Sequence, residues 1–340
     1  MERALEFAGL KRENRTLKRT LAGDGETFGM IGRDQKMRRI IETIRTAAPS
    51  DASVLIEGES GTGKELIATA FHTESHRAAR PFIRINCAAI PHELIESELF
   101  GYKKGAFTGA DRDKRGLIEA AAEGTLLLDE IAEMPAHLQT KLLRVLQERK
   151  LRRVGDEREI DVNFRLVSAT NRDTSSLVKE GVLRKDLYFR ISTIKVKVPP
   201  LRERLDDVIL LAQRFLDRYS QQYGKAIRDI SQDAVLRLTR YEWPGNIREL
   251  ESVIERAVLF CPGIELRSDC LPEEFQDSST MGSHFVIPPL LPMDEIEREA
   301  ILQTLERTSG NVKKSAQILH FPRPTFYRKL KKFGIKVERQ

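Results

Sequence analysis

The sequence predicts an α/β protein: a parallel sheet covered by helices, then a small helical domain, then a separate all-α module. Three observations carry this expectation. Between Phe28 and Pro200 short apolar runs alternate with stretches of helical periodicity, the pattern of a parallel sheet with crossover helices. One of these runs enters a glycine-rich loop, Gly58-Glu59-Ser60-Gly61-Thr62-Gly63-Lys64, which opens a helix. Near the C-terminus, between Lys313 and Lys332, there are seven basic residues and no acidic one.

The bulk numbers agree. A chain of 340 residues exceeds one compact core and predicts two or three domains. With 40% hydrophobic and 32% charged residues it reads as a soluble globular protein. No apolar run approaches the roughly 20 residues needed to span a bilayer, and the N-terminus, charged from Glu2, carries no secretory signal. Cys87, Cys261 and Cys270 are odd in number and lack metal-ligand spacing, so reduced thiols in a cytoplasmic protein are expected. The net charge of +6 is concentrated in the basic stretch near the end, which points to a nucleic-acid-binding module.

In order along the chain, residues 1–26 read as a helix. Phe7, Leu10, Asn14, Leu17 and Leu21 have coiled-coil spacing, but the stretch is short, and a dimer contact, a linker or a helix docked on the main domain all fit. Residues 27–200 form the α/β domain, with strands at Ser53–Ile56, Phe82–Ile85, Thr125–Leu128, Phe164–Ala169 and Ile194–Val198, and helices such as Pro135–Glu148. Residues 201–275 have helical periodicity without a good strand. Residues 276–292, rich in Ser, Pro and Gly, read as a linker, and residues 293–340 as the basic helical module.

A strand running into GxxxxGK and then a helix is a phosphate-binding arrangement. The glycines let backbone N–H groups turn toward phosphate oxygens, the helix start adds positive potential, and Lys64 reaches the outer phosphates. ATP is the expected ligand. The next residue is Glu65, where the general motif has a hydroxyl for Mg²⁺, so Thr62, water or a distal carboxylate must hold the metal. Leu126-Leu127-Leu128-Asp129-Glu130 supplies one: Asp129 would hold Mg²⁺ through water, and Glu130 would polarise the attacking water.

At Gly105-Ala106-Phe107-Thr108-Gly109-Ala110 the chain resembles the AAA+ ATPases that activate sigma-54 RNA polymerase, the bacterial enhancer-binding proteins, matching their GAFTGA loop at every position. The resemblance covers roughly residues 28–335, and Glu65 is usual in that family. Physically, glycines flanking Phe107 and Thr108 allow a sharp bend that presents an aromatic at a tip. The resemblance implies that this loop engages sigma-54 and moves with the nucleotide state. It also implies that Asn86 is the switch asparagine paired with Glu130, that Asn171 senses the terminal phosphate, and that Arg184 and Arg190 are arginine fingers supplied to a neighbouring subunit. Arg248, in Trp243-Pro244-Gly245-Asn246-Ile247-Arg248, matches the sensor arginine of a helical lid, and Ile31 joins the nucleotide-binding set.

In the basic module Met293, Ile296, Ala300, Ile301 and Leu305 give one apolar stripe, Val312, Ala316 and Leu319 a second, and Phe326, Leu330 and Phe333 a third. Thr308-Ser309-Gly310-Asn311 is a turn with a helix cap. The layout resembles a Fis-type helix-turn-helix, whose last helix would enter the major groove of double-stranded DNA with Arg323, Thr325, Tyr327, Arg328, Lys329 and Lys332 on bases or phosphates. The turn departs from that family: His320-Phe321-Pro322-Arg323-Pro324 stands where relatives have Gly and then Ser. Pro324 suits a first helical turn.

His72 and His76, four apart on a helix, are read as packing or solvated histidines, and Glu93, Glu96 and Glu98 as an acidic face. The expected whole is an ATP-hydrolysing activator that binds an upstream activator sequence as dimers, assembles into a hexameric or heptameric ring and remodels the sigma-54 RNA polymerase holoenzyme for open-complex formation. A DNA-binding regulator that only senses nucleotide, and a general remodeller of other proteins, are the rival readings. The N-terminal helix resembles the linker that follows a sensory or receiver domain, as in two-component systems, and no such domain stands in this sequence.

Overall fold

The computed structural model describes residues 26–275 and, of the C-terminal segment, residues 297–335 apart from 299, 303, 306, 307, 309, 310 and 320. The expected coiled-coil seam and the 276–292 linker lie outside the described residues. The chain forms two compact units that divide near residue 278.

The first unit is built on five parallel strands: β1 (Val54–Glu57), β2 (Phe82–Asn86), β3 (Thr125–Asp129), β4 (Arg165–Thr170) and β5 (Ile194–Lys197), in the spatial order β5-β1-β4-β3-β2. Every residue of β1 and β4 is buried. Helices cover both faces, so β1 is apolar up to Glu57 and β4 buries Arg165, Ser168 and Thr170 along with its apolar residues, with no in–out alternation in either. Most end one residue later than the apolar runs predict, because the ladders continue through polar residues: Glu57 pairs with Thr170, and Asn86 with Asp129. These polar ends gather at the carboxyl edge of the sheet, where ligands bind in open α/β folds.

Two excursions leave the sheet. The pair Gly101–Tyr102 and Lys114–Arg115 encloses residues 103–113, and Lys150–Arg152 pairs with Glu159–Asp161 in a hairpin. Residues 201–275 then form a helical lid. Leu205–Gln222, Gln232–Arg240 and Asn246–Phe260 pack around Trp243, fully buried with Nε1 donating to the Leu238 carbonyl at 2.9 Å. The strand-free expectation for this region needs correcting. Asp229–Ile230 and Glu265–Leu266 form a two-residue parallel pair, too short to leave a periodic signal.

The second unit has helical residues between 297 and 305, then Val312–Ile318 and Arg323–Lys332. Ile301, Leu305, Ala316, Phe326 and Leu330 form its core, which is the three-stripe pattern expected from the sequence. Asn311 caps the middle helix by accepting from Lys314 N at 3.0 Å. No helix among the described residues is long and apolar enough to cross a membrane.

Candidate active site

The glycine-rich loop joins β1 to the helix Lys64–Thr73. Gly61 and Gly63 adopt φ of +75° and +96°, open to glycine without strain. At Gly61 the requirement is doubled, since a Cβ there would lie 2.3 Å from the Gly245 carbonyl of the lid. The Lys64 ammonium is curled into the loop, donating to the carbonyls of Gly58 at 2.8 Å and Glu59 at 3.2 Å, and stands 3.8 Å from Glu130 Oε1. Burial holds its pKa below the usual lysine value, against the opposing pull of Glu130 and Asp129. Thr62 is buried, its hydroxyl donating to Glu59 O at 2.8 Å. Glu65 turns to the surface, where Arg84 donates to it at 2.7 Å.

Asp129 ends β3 beside this loop, and Glu130 follows it. Glu130 sits at φ +50°, which swings its carboxylate toward β4, where Oε2 accepts from Asn171 N at 3.0 Å. The resemblance implied that Asn86 pairs with Glu130, but here its side chain bonds elsewhere. Its amide reaches Asp129 Oδ2 at 3.5 Å, and its own Oδ1 accepts from Ala88 N at 2.9 Å. The reason is register: Asn86 and Asp129 are opposed in the β2–β3 ladder, so their side chains share a face, while Glu130 lies beyond the end of the ladder.

The lid closes the other side. Arg248 Nη1 donates to Ser60 Oγ at 3.2 Å, and Ile247 N to Gly61 O at 3.0 Å. Three contributors here were missed in the sequence. Asn246, buried at φ +53°, donates through its amide to Ser60 O at 3.0 Å while its Oδ1 accepts from Leu201 N at 2.7 Å. Arg202 forks onto the Glu59 carboxylate at 2.6 and 2.8 Å. Arg204, buried, donates to Thr62 O at 3.0 Å, and beside it Asp207 accepts from Arg33 N at 2.6 Å. The run Arg202-Glu203-Arg204 after Pro200 was the only signal of the two arginines, and Asn246 stood unassigned in the motif quoted for Arg248. Ile31, Thr62, Gly63, Leu66, Phe215 and Ile247 line part of a cavity of about 320 Å³ against the loop, so Ile31 does lie beside it.

Arg184 and Arg190 are exposed and engaged away from the loop. Arg184 forks onto Asp186 at 2.7 and 3.1 Å, and Arg190 donates to Leu146 O at 2.8 Å.

The Gly105–Ala110 segment forms a closed turn, with Gly105 N donating to Ala110 O at 2.9 Å and Ala110 N to Phe107 O at 3.0 Å. Gly105 and Gly109 adopt φ of +84° and +95° with open space about them, and Phe107 is 44% exposed, its ring edge-on to Tyr102 at 4.9 Å. The base of the loop is tied to the hairpin: Lys103 N donates to Val154 O at 3.0 Å, and a Cβ on Gly155 would meet Ala106 at 2.7 Å.

Residues 30–197 match the sigma-54 interaction domain, residues 202–284 the AAA+ ATPase lid domain, and residues 292–333 the Fis family of bacterial regulatory proteins. Regulatory protein AtoC of Escherichia coli (strain K12) is 44% identical over 341 residues, covering 98% of this chain and 74% of AtoC. The chain belongs to the sigma-54-dependent activators. A second relative of this activator, the luminescence regulatory protein LuxO of Vibrio campbellii, is 44% identical over 326 residues, covering 94% of this chain and 72% of its own. Among solved structures, NtrX from Brucella abortus in complex with ADP superposes with a TM-score of 0.68 at 33% identity, covering 98% of this chain and 74% of that one, and the complex with ATP gives the same values. The activator is thus an ATPase of the AAA+ fold with a helical lid and a Fis-type helix-turn-helix DNA-binding domain.

In that last domain Arg323 opens the final helix, Tyr327, Arg328 and Lys332 are exposed, and Thr325 is half-buried. Lys329 is committed inward: its ammonium pairs with Glu297 and lies 5.1 Å over the Phe321 ring. Its expected place on DNA therefore competes with a structural one. His72 is a packing residue, buried, stacked on Phe82 and hydrogen-bonded through Nδ1 to Thr125 Oγ1 at 3.0 Å, and the described residues contain no metal-ligand cluster.

Proposed function

We propose that this activator binds an upstream DNA site through its helix-turn-helix, assembles into a ring, and uses ATP hydrolysis to drive the Gly105–Ala110 loop against sigma-54 in the polymerase holoenzyme. The exposure of Phe107 and Thr108 on a turn between two left-handed glycines carries this reading, because an aromatic kept out of the core at a loop tip is a ready anchor for a partner.

In the hydrolytic step, the N–H groups of residues 58–64 cradle the phosphates, Lys64 neutralises the outer ones, and Glu130 takes the proton of the attacking water. Asn171, whose backbone already holds Glu130, would read the terminal phosphate. Glu65, paired with Arg84 at the surface, supports the loop only from outside. The hard oxygen donors here fit Mg²⁺, which would be held by nucleotide oxygens and, through water, by Asp129, and would neutralise charge on the transferring phosphate. Arg248 and Asn246 bring the lid to the loop. Arg184 and Arg190, occupied elsewhere in their own chain, would serve the site of a neighbouring subunit.

Thr108→Ala separates hydrolysis from its use. The variant should keep ATPase activity within about twofold and lose open-complex formation at a sigma-54 promoter. If promoter opening persisted at the parental rate, the loop would not be the polymerase contact.

A further inference from the structure

Two of the three cysteines, unconnected with the reading above, meet in the lid. Cys261 follows the helix Asn246–Phe260 as its capping residue and is buried, and Cys270 ends the single turn Ser268–Cys270 and is partly exposed. Their sulfurs lie 3.0 Å apart, the Cys270 thiol donating to Cys261 Sγ, while the Cys261 thiol donates to Glu265 O at 3.2 Å. A disulfide bond is about 2.05 Å long, so sulfur motion of roughly 1 Å separates this contact from a covalent one. The backbone on either side is already fixed. Cys261 N donates to Ala257 O at 2.9 Å and Cys270 N to Arg267 O at 3.0 Å, Glu265–Leu266 pairs with Asp229–Ile230, and Ser268 N donates to Asp233 at 3.2 Å.

We propose that Cys261 and Cys270 are a redox-sensitive dithiol that closes to an intramolecular disulfide, stapling the end of the long lid helix to the turn Ser268–Cys270. With hydrogen peroxide as oxidant, the exposed Cys270 sulfur attacks one peroxide oxygen, giving a sulfenic acid and one water. The Cys261 sulfur then attacks the Cys270 sulfur, hydroxide leaves and takes up the Cys261 proton as a second water, and two thiols have lost two electrons to one peroxide. Burial, with Cys261 beside it, pushes the Cys270 thiol up to about 11, so the reaction answers sustained exposure, not a brief pulse, and its rate rises with pH. Cys87 lies in a separate core, its thiol pushed up to about 12 by burial, and serves as an internal reference. The staple acts on a helix whose first residues touch the phosphate loop.

The test uses the full chain, treated with hydrogen peroxide, quenched, unfolded and alkylated. A mass loss of two hydrogens, one alkylated cysteine (Cys87), and a tryptic peptide pair joined across Arg267 are expected, with the melting midpoint raised on the order of 5 °C and restored by dithiothreitol. Cys261→Ser should leave Cys270 as a sulfenic acid captured by dimedone, and Cys270→Ser should leave Cys261 unmodified. Three alkylated thiols after oxidation, a link involving Cys87, or a link between chains would overturn the proposal. Cross-linking with no rise in the melting midpoint would overturn the staple.

Discussion

The Lys64 ammonium and the Glu130 carboxylate face each other at 3.8 Å, one at the start of a helix and the other just past the end of a strand. Lys64 also donates to two loop carbonyls, so its charge is aimed by the backbone, while Glu130 is held from behind by Asn171 N. The two substitutions should separate binding from chemistry. Lys64→Ala should weaken ATP binding by about 10- to 100-fold, the loss of a hydrogen bond to a charged group. Glu130→Gln should bind ATP near the parental affinity and hydrolyse it roughly 10²–10⁴-fold more slowly. Fluorescent-nucleotide titration with single-turnover hydrolysis reads both, and hydrolysis within tenfold of the parent in Glu130→Gln would remove Glu130 from the role of base.

Arg184 and Arg190 bear on assembly. If they complete a neighbour's site, Arg184→Ala or Arg190→Ala should lower turnover by about 10³-fold with ATP binding intact, as for other arginine fingers. Mixed with an excess of Lys64→Ala subunits, at ATP concentrations too low to fill their weakened sites but with both arginines retained, Arg184→Ala should regain measurable activity. Turnover per subunit should also climb with protein concentration. No recovery on mixing, at concentrations where rings form, would mean that the arginines act within their own chain.

His72 makes stability depend on pH. Burial, and then the nearby Arg165 guanidinium, hold its pKa below the ordinary 6.5, so the folded ring stays neutral where the unfolded one takes up a proton. The unfolded state therefore binds more protons just below pH 6.5. The contribution is fully present above that value and is lost as pH falls through the window down to the depressed folded pKa. Between pH 7 and 5 the denaturation midpoint should fall less steeply in His72→Gln than in the parent. Equal slopes would show that the ring does not titrate there.

In the C-terminal unit Lys329 and Arg328 should part company. Lys329 is tied to Glu297 and Phe321, so Lys329→Ala should melt this unit earlier in calorimetry of the full chain. Arg328 is exposed, and Arg328→Ala should weaken DNA binding and lower the slope of log affinity against log salt by about one, with the melt unchanged. A reversed pattern would mean that the last helix presents another face to the duplex.

The strands, the phosphate loop and the acids were legible because each is a local pattern: an apolar run, a glycine spacing, a polar residue at a strand end. What escaped was non-local. Glu59 looks like a spacer between glycines until Arg202 and Asn246, far along the chain, fold onto its carboxylate. The partner of Asn86 was misjudged because strand register, set by the whole sheet, decides which side chains share a face. Lys329 counted toward a basic surface because charge is visible in a sequence and a carboxylate across the bundle is not.

The lid grips the phosphate loop by its backbone and by Glu59, not only through the sensor arginine. Binding and docking are then two faces of one equilibrium. Whatever factor a docked lid adds to ATP affinity, ATP must add to lid docking. A lid substitution that never touches nucleotide, Arg202→Ala for one, therefore changes how strongly the nucleotide state is felt by the rest of the domain.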